Sequence, residues 1–276
     1  MLPDYTQDDL SNVRLLACDM DLTLLADDKS MPQGIMDRIR ALLDAGVWFC
    51  PASGRPGPTL QSMFPRFADT IPFIPDNGGY VLFRGQMVYR DLLDSKVYHD
   101  LLRAAVENGR GVPCIVGFDR TYVLESARAY EGDFKMYYPQ LEYVASFDGV
   151  DPETNKITIF FPNWDSPVHY REFYGPKFAD ALSVTCAGDE WIDIMNDGVN
   201  KGTGLARLCE HLGIALADAA AVGDTYNDIE MLEAAGHSFL VANAEGHMEA
   251  HAKFRVPSNN DAGVIALIDA ILAVKR

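Results

Sequence analysis

The chain is 276 residues long, 48% hydrophobic, and carries 23 Lys plus Arg against 40 Asp plus Glu, a net charge of −17. That length and apolar content supply one large core or two modest ones, while the charge argues against a nucleic-acid or anionic-membrane surface as the main partner. No stretch approaches the ~18 apolar residues of a membrane span, residues 1–11 hold no apolar core, and the scattered cysteines 18, 50, 114, 186 and 209 read as packing residues in a reducing compartment. Cytoplasmic residence is expected.

In chain order, the run Leu15-Leu16-Ala17-Cys18 leads straight into Asp19-Met20-Asp21. Its near-continuous apolarity predicts a strand covered on both faces, as in a parallel α/β sheet. A helix is expected over 32–45, with Ile35, Ile39, Leu42 and Leu43 on one face and Gly46 closing it. A strand follows over 47–51, a turn at Ser53-Gly54-Arg55-Pro56, a helix over 59–67 and a strand over 71–74. Asn77-Gly78-Gly79 predicts a tight turn tolerant of φ > 0, and Arg84-Gly85 joins 80–83 to 86–89 as a hairpin.

From about 91 to 186 the pattern changes to helices near 94–108 and 166–179 with short strands near 112–117, 121–125, 156–161 and 181–186. From Trp191 the βα alternation resumes, with a helix over 203–212, strand 219–222, helix 226–235, strands 238–241 and 253–256, and a last helix over 263–274. The expected fold is α/β, a doubly wound, Rossmann-like parallel sheet with an inserted α+β cap domain. The expected division is 1–84 for the first part of the core, 85–188 for the insertion and 189–276 for the second part.

Ligands of such sheets gather at the C-terminal strand ends, and four segments converge there: Asp19/Asp21, Ser53-Gly54-Arg55, Lys201, and Gly223-Asp224-Thr225-Tyr226-Asn227-Asp228. Two residues along a strand return to one face, so Asp19 and Asp21 share a site if the strand persists; alone, they equally suit a solvated turn cap. Asp224 and Asp228 open a helix four apart and face one way, although N-capping accounts for Asp224 as well. Together the four carboxylates form the oxygen-rich setting that Mg²⁺ requires. Lys201 just precedes a helix beginning near Gly202, the unfavourable end for a cation, so it is either a functional group or a solvated loop lysine. Ser53-Gly54, between a strand and a helix, suits either a phosphoryl oxygen or an ordinary N-cap. His247 and His251, the one histidine pair at a zinc-ligand spacing, read as surface residues, so no zinc site is expected.

Asp19-Met20-Asp21-Leu22-Thr23, Ser53-Gly54-Arg55-Pro56, Asn200-Lys201-Gly202 and Gly223-Asp224-Thr225-Tyr226-Asn227-Asp228 together resemble the four ordered motifs of the haloacid dehalogenase-like hydrolase superfamily. Asn77-Gly78, the inserted region, and Val241-Ala242-Asn243-Ala244 resemble its Cof-type phosphatase branch. The resemblance implies Asp19 as nucleophile, forming an aspartyl-phosphate, and Asp21 as the acid that protonates the leaving alkoxide and then activates water. It implies Mg²⁺ held by Asp19, the Asp21 carbonyl and Asp224, supported by Asp228, with Met20, Ser53, Gly54, Lys201 and Asn227 binding the phosphoryl group.

One position departs from the pattern: Leu22 stands where the family usually has Gly, and a turn with φ > 0 there costs Leu roughly 1 kcal/mol or more. The implied activity is a Mg²⁺-dependent phosphatase of small phosphorylated metabolites, sugar or cofactor phosphates, with a phosphomutase or a catalytically silent phospho-ligand binder as alternatives. The identity of the ester and the oligomeric state are not legible.

Overall fold

The structure is a computed structural model that describes residues 2–186 and 188–275. In chain order the first stretch holds β1 (Leu15–Asp19), α1 (Ile35–Asp44), β2 (Trp48–Ala52), α2 (Gly57–Ser62), β3 (Tyr80–Phe83) and β4 (Gln86–Arg90). Next come α3 (Ser95–Asn108), β5 (Val112–Gly117), β6 (Thr121–Leu124), α4 (Glu131–Tyr137), β7 (Leu141–Val144), β8 (Thr154–Phe160), α5 (Ser166–His169), α6 (Gly175–Phe178), β9 (Leu182–Cys186) and β10 (Trp191–Asn196). The last stretch holds α7 (Lys201–Leu212), β11 (Ala219–Gly223), α8 (Ile229–Ala234), β12 (His237–Val241), β13 (Phe254–Val256) and α9 (Gly263–Val274). The chain divides into two compact units, one of residues 1–89 and 200–276 and the other of Arg90–Val199. The second unit therefore spans 90–199, where 85–188 was expected.

The first unit is built on a parallel sheet of order β13-β12-β11-β1-β2. The two-residue period of β1 explains its composition: Leu16 and Cys18 enter one core with Ile39, Leu42, Leu267 and Ile268 of α1 and α9, while Leu15 and Ala17 enter the other with Leu205, Leu208, Met231 and Leu232 of α7 and α8. Both faces are covered, so within β1 no polar residue precedes Asp19. Asp19 continues the Leu15/Ala17 parity and therefore points to the side where α7 and α8 begin.

Several sequence expectations shift for identifiable reasons. Residues 71–74 pair only through isolated bridges, Ala52↔Ile74 and Phe73↔Leu82, because Pro72 and Pro75 lack the N–H groups a ladder needs. α2 stops at Ser62, as Phe64 precedes Pro65 and is disfavoured in helical geometry. The expected helix 166–179 runs without a break from Ser166 to Phe178, but its middle, Tyr170–Tyr174, widens to a π-helical turn between α5 and α6, with Pro176 in the first turn of α6. The expected helix 226–235 opens with a single 3-10 turn, Tyr226–Asp228, before α8.

The second unit has a six-stranded sheet of order β7-β6-β5-β8-β10-β9, antiparallel except for the β6–β7 pair. β10 lies in this sheet between β8 and β9, so the βα alternation resumes after it rather than at Trp191. One face packs Ile157, Ile159, Ile192 and Ile194 against α3 residues Leu101 and Leu102, and the other packs Phe160 and Trp191 against Phe134 of α4. A buried ion pair, Lys156 Nζ to Asp193 Oδ2 at 3.1 Å, lies within the unit. Among the described residues no helix is long and apolar enough to cross a membrane, and all five cysteines are free.

Candidate active site

The C-terminal end of the parallel sheet gathers three carboxylates. Asp19 ends β1, Asp224 follows β11, and Asp228 closes the 3-10 turn that precedes α8; their oxygens lie within 4.8 Å of one another, and all three residues are buried. Close approach is built into the backbone: a Cβ on Gly223 would stand 2.6 Å from the Asp228 carboxyl. Asp228 Oδ2 accepts the N–H groups of Asp224 (3.0 Å) and Thr225 (3.2 Å), so it also serves as a cap.

Lys201 neutralises part of this charge. It is the first residue of α7, capped by Asn200 through a reciprocal capping box with Thr203, and it is fully buried. Its Nζ donates to Asp19 Oδ1 at 2.6 Å and to Asp228 Oδ1 at 2.7 Å. The solvated-loop alternative is thereby excluded, and the cation at the unfavourable helix end is explained by the two carboxylates it meets there. Burial lowers the tendency of Lys201 to hold its proton, but Asp19 and Asp228 outweigh that and keep it charged.

The carboxylates respond in the opposite sense. Burial and the Asp228 charge push Asp19 well above the usual carboxylate range despite Lys201. The same causes push Asp224 up to about 6, against the Thr23 hydroxyl that donates to its Oδ1 at 2.8 Å. Asp19 Oδ2 is buried with no hydrogen-bond partner among the described residues. An unpaired buried carboxylate oxygen costs free energy unless something positive meets it, and three clustered carboxylates are the donor set of a hard divalent cation. The residues present therefore fit Mg²⁺.

Asp21 corrects an expectation. Its backbone has left the strand (φ −77°, ψ 126°), and its carboxylate lies outside the three-acid cluster. It is gripped by Arg55, Nε to Oδ2 at 3.0 Å and Nη2 to Oδ1 at 2.9 Å, and by Lys29 Nζ at 3.0 Å. Burial pushes its pKa up, but the Arg55 and Lys29 contacts outweigh it and hold Asp21 below the usual range. The next residue, Leu22, has φ 62° and ψ 5°. The left-handed turn expected for a Gly is thus made by Leu, at roughly 1–2 kcal/mol.

The remaining expected residues sit nearby in the same unit. Met20 is buried at the start of the turn after β1, its carbonyl accepting from Leu25 N–H at 2.8 Å. Ser53 follows β2, is buried, and its Oγ accepts from Arg55 N–H at 3.2 Å. A Cβ on Gly54 would meet the Asn77 amide at 3.2 Å, so the glycine lets that side chain approach. Asn227 Nδ2 donates to Asn77 Oδ1 at 3.0 Å, while its own Oδ1 is buried without a partner among the described residues. Asn77 lies in a run of positive φ, Asp76 46°, Asn77 51° and Gly78 93°, and at Gly78 a Cβ would fall 2.0 Å from Asn200 O, just ahead of Lys201.

Sequence reasoning assigned no role to Thr23, Arg55, Lys29 or Asn243, although Thr23, Arg55 and Asn243 stand inside the quoted motifs. Asn243 fixes the strained turn by donating to Leu22 O at 2.8 Å. No periodicity marks such residues, since their partners are about 200 residues away in the chain for Thr23 and Asn243.

A parallel α/β sheet with an inserted α+β unit, whose C-terminal strand edge pairs clustered acids with a buried lysine, has the make-up of a phosphoryl-handling enzyme. The family model for haloacid dehalogenase-like hydrolases matches residues 16–268, and the chain belongs to that family, as a phosphatase of its Cof-type branch. It is 33% identical over 271 residues to the 5-amino-6-(5-phospho-D-ribitylamino)uracil phosphatase YbjI of Escherichia coli, covering 95% of this chain and 97% of that protein. It is 25% identical over 267 residues to the phosphatase YitU of Bacillus subtilis, which bears the same substrate name, covering 91% and 94%. The crystal structure of a Streptococcus mutans protein superposes with a TM-score of 0.84 at 26% identity, covering 95% of this chain and 99% of that one.

Proposed function

We propose that this chain is a Mg²⁺-dependent phosphatase that cleaves the terminal phosphate ester of a small polyol- or sugar-bearing metabolite, of the kind named for the Escherichia coli and Bacillus subtilis relatives, through a phosphorylated Asp19. The observation that carries this reading is the buried cluster of Asp19, Asp224 and Asp228 with Lys201 at its centre. Asp19, Asp224, the Asp21 carbonyl and Asp228 would hold the cation, which supplies charge neutralisation between an anionic nucleophile and an anionic phosphate.

The chain's own groups do the rest. Lys201 tethers one oxygen of Asp19 and fixes the rotamer of the carboxylate that attacks phosphorus. Asp21 first takes up one proton, released by the substrate's phosphate monoanion; a bond then forms between Asp19 and phosphorus as the ester P–O bond breaks, and the departing alkoxide takes that proton from Asp21. Water then attacks the phosphorylated Asp19, giving its proton to Asp21; the acyl-phosphate P–O bond breaks, releasing inorganic phosphate and restoring the Asp19 carboxylate, and Asp21 passes its proton to the departing phosphate or to solvent. Asp21 as seen here, ionised by Arg55 and Lys29, is in the state suited to that second step. The backbone of Met20, Ser53, the Gly54 amide, Lys201 and Asn227 would hold the phosphoryl oxygens. The inserted unit is proposed to act as a cap that excludes bulk water.

The test is phosphate release from a panel of polyol, sugar, nucleotide, pyridoxal and flavin phosphates with Mg²⁺ and with chelator. Turnover that requires metal and vanishes in Asp19→Asn supports the reading. Metal-independent turnover, or turnover that survives Asp19→Asn, overturns it.

A further inference from the structure

One exposed aromatic in the catalytic loops takes no part in the chemistry above. Tyr226 stands between Asp224 and Asn227, yet it is 64% exposed, unlike its neighbour Asp228, which is fully buried. A single exposed aromatic is ordinary on a protein surface; Tyr226 is set apart by its place in the loop that carries Asp224 and Asn227 and by its partner. Its ring is not loose: it stacks on His247, with centroids 4.5 Å apart and an interplanar angle of 24°. His247 is steadied in turn by Glu245, Nδ1 to Oε2 at 3.3 Å.

The second ring belongs to the same catalytic edge. His247 lies in the short 3-10 segment Gly246–His251 after β12, and Asn243, just before that segment, donates to Leu22 O in the turn after Asp19. The stacked pair therefore rims the strand ends that carry Asp19 and Asp224. Asn227 is a proposed phosphoryl contact, and Tyr226 is the residue next to it.

We infer that the Tyr226–His247 stack is a platform for a nitrogen-heteroaromatic ring carried by the leaving group, and that Tyr226 is a specificity-determining residue; this rests on the phosphatase reading of the same site. Reach supports the pairing. A five-carbon polyol chain spans roughly 6 Å, and a tyrosine ring extends roughly 6 Å from its Cα, so a ribityl phosphate held beside Asn227 is long enough for a ring at its far end to reach the residue next door. The surface is apolar and flat, and a neutral ring avoids the repulsion that a second anion would meet beside three carboxylates and a net charge of −17.

The test compares two esters that differ only in the ring, riboflavin 5′-phosphate and D-ribitol 5-phosphate, binding to Asp19→Asn protein with Mg²⁺ in a calorimeter. The ring ester is expected to bind about five- to a hundred-fold more tightly, the range for one stacked base. Tyr226→Ala is expected to abolish that preference and Tyr226→Phe to keep it. No ring preference in the parental Asp19→Asn protein, an undiminished preference in Tyr226→Ala, or equal weakening of both esters overturns the inference. Phosphate release by the unsubstituted enzyme reads the parent proposal separately: a ring preference without release refutes the hydrolytic reading while leaving the platform in place.

Discussion

Replacing Lys201 by Met removes an ammonium group that lies between two buried carboxylates and substitutes a side chain of similar length, so packing is largely preserved. The structure gives the magnitude. Lys201 is fully buried and meets Asp19 Oδ1 at 2.6 Å and Asp228 Oδ1 at 2.7 Å, and stripping one partner from a buried ion pair costs about 3–5 kcal/mol because the remaining charge is left uncompensated. Asp19 moderates the loss, since burial already favours its protonated form and a captured proton replaces part of the missing charge. The expected cost in chelator near pH 7.5 is therefore about 3 kcal/mol, shrinking as the pH falls toward about 5. With a urea dependence of about 2–3 kcal/mol per M, that is a midpoint shift of roughly 1–1.5 M. Urea unfolding followed by circular dichroism at both pH values measures it. A loss below about 1 kcal/mol, or one that grows on acidification, would refute the assignment of Lys201 as the charge that holds the site together.

Other outcomes follow from the same geometry. Asp224 is raised to about 6 in the folded protein from 3.8, so the fold holds a proton there that the unfolded chain has released; this contribution to stability is lost as pH rises between those values. A divalent cation favours the ionised carboxylate, so the increase in melting temperature on adding Mg²⁺ should be larger near pH 7.5 than near pH 5; an equal or larger increase at the acidic pH contradicts it. Leu22→Gly relieves roughly 1–2 kcal/mol of left-handed strain against about 0.5–1 kcal/mol of added unfolded-state entropy, so chemical denaturation should show unchanged or slightly raised stability, and a loss beyond about 1 kcal/mol counts against the strain argument. Gly78→Ala places a Cβ 2.0 Å from Asn200 O at φ +93°, and should cost more than about 3 kcal/mol or prevent soluble expression; a well-folded variant of near-native melting temperature would contradict that.

The parts of the fold read most directly from sequence are those whose pattern has a local cause. β1 was legible because both of its faces are buried, and the last helix matched over 263–274 because its ends and apolar stripe agree. Leu22 was legible as a strained turn only through the family resemblance, because it stands where that family usually has Gly, and the backbone there does take φ 62°. The reading failed where apolar runs fit more than one sheet: Trp191-Ile192-Asp193-Ile194 looks the same whether it pairs with β8 or joins the parallel core, and only the antiparallel register Ile192↔Ile159 decides. In the site, Asp19, Asp224 and Lys201 were found from their positions at element ends. The course of Asp21 was not, because its departure toward Arg55 and Lys29 depends on side chains 34 and 8 residues away and on a strand that ends two residues short of it.

The measurement that bears most directly on the central claim is a rapid acid quench of the enzyme during turnover of an ester it cleaves with Mg²⁺, followed by mass spectrometry of the peptide that contains Asp19. The account expects a transient phosphoryl adduct on Asp19, absent in Asp19→Asn and absent when metal is chelated. Full turnover with no adduct at any quench time, or an adduct on another residue, would contradict it.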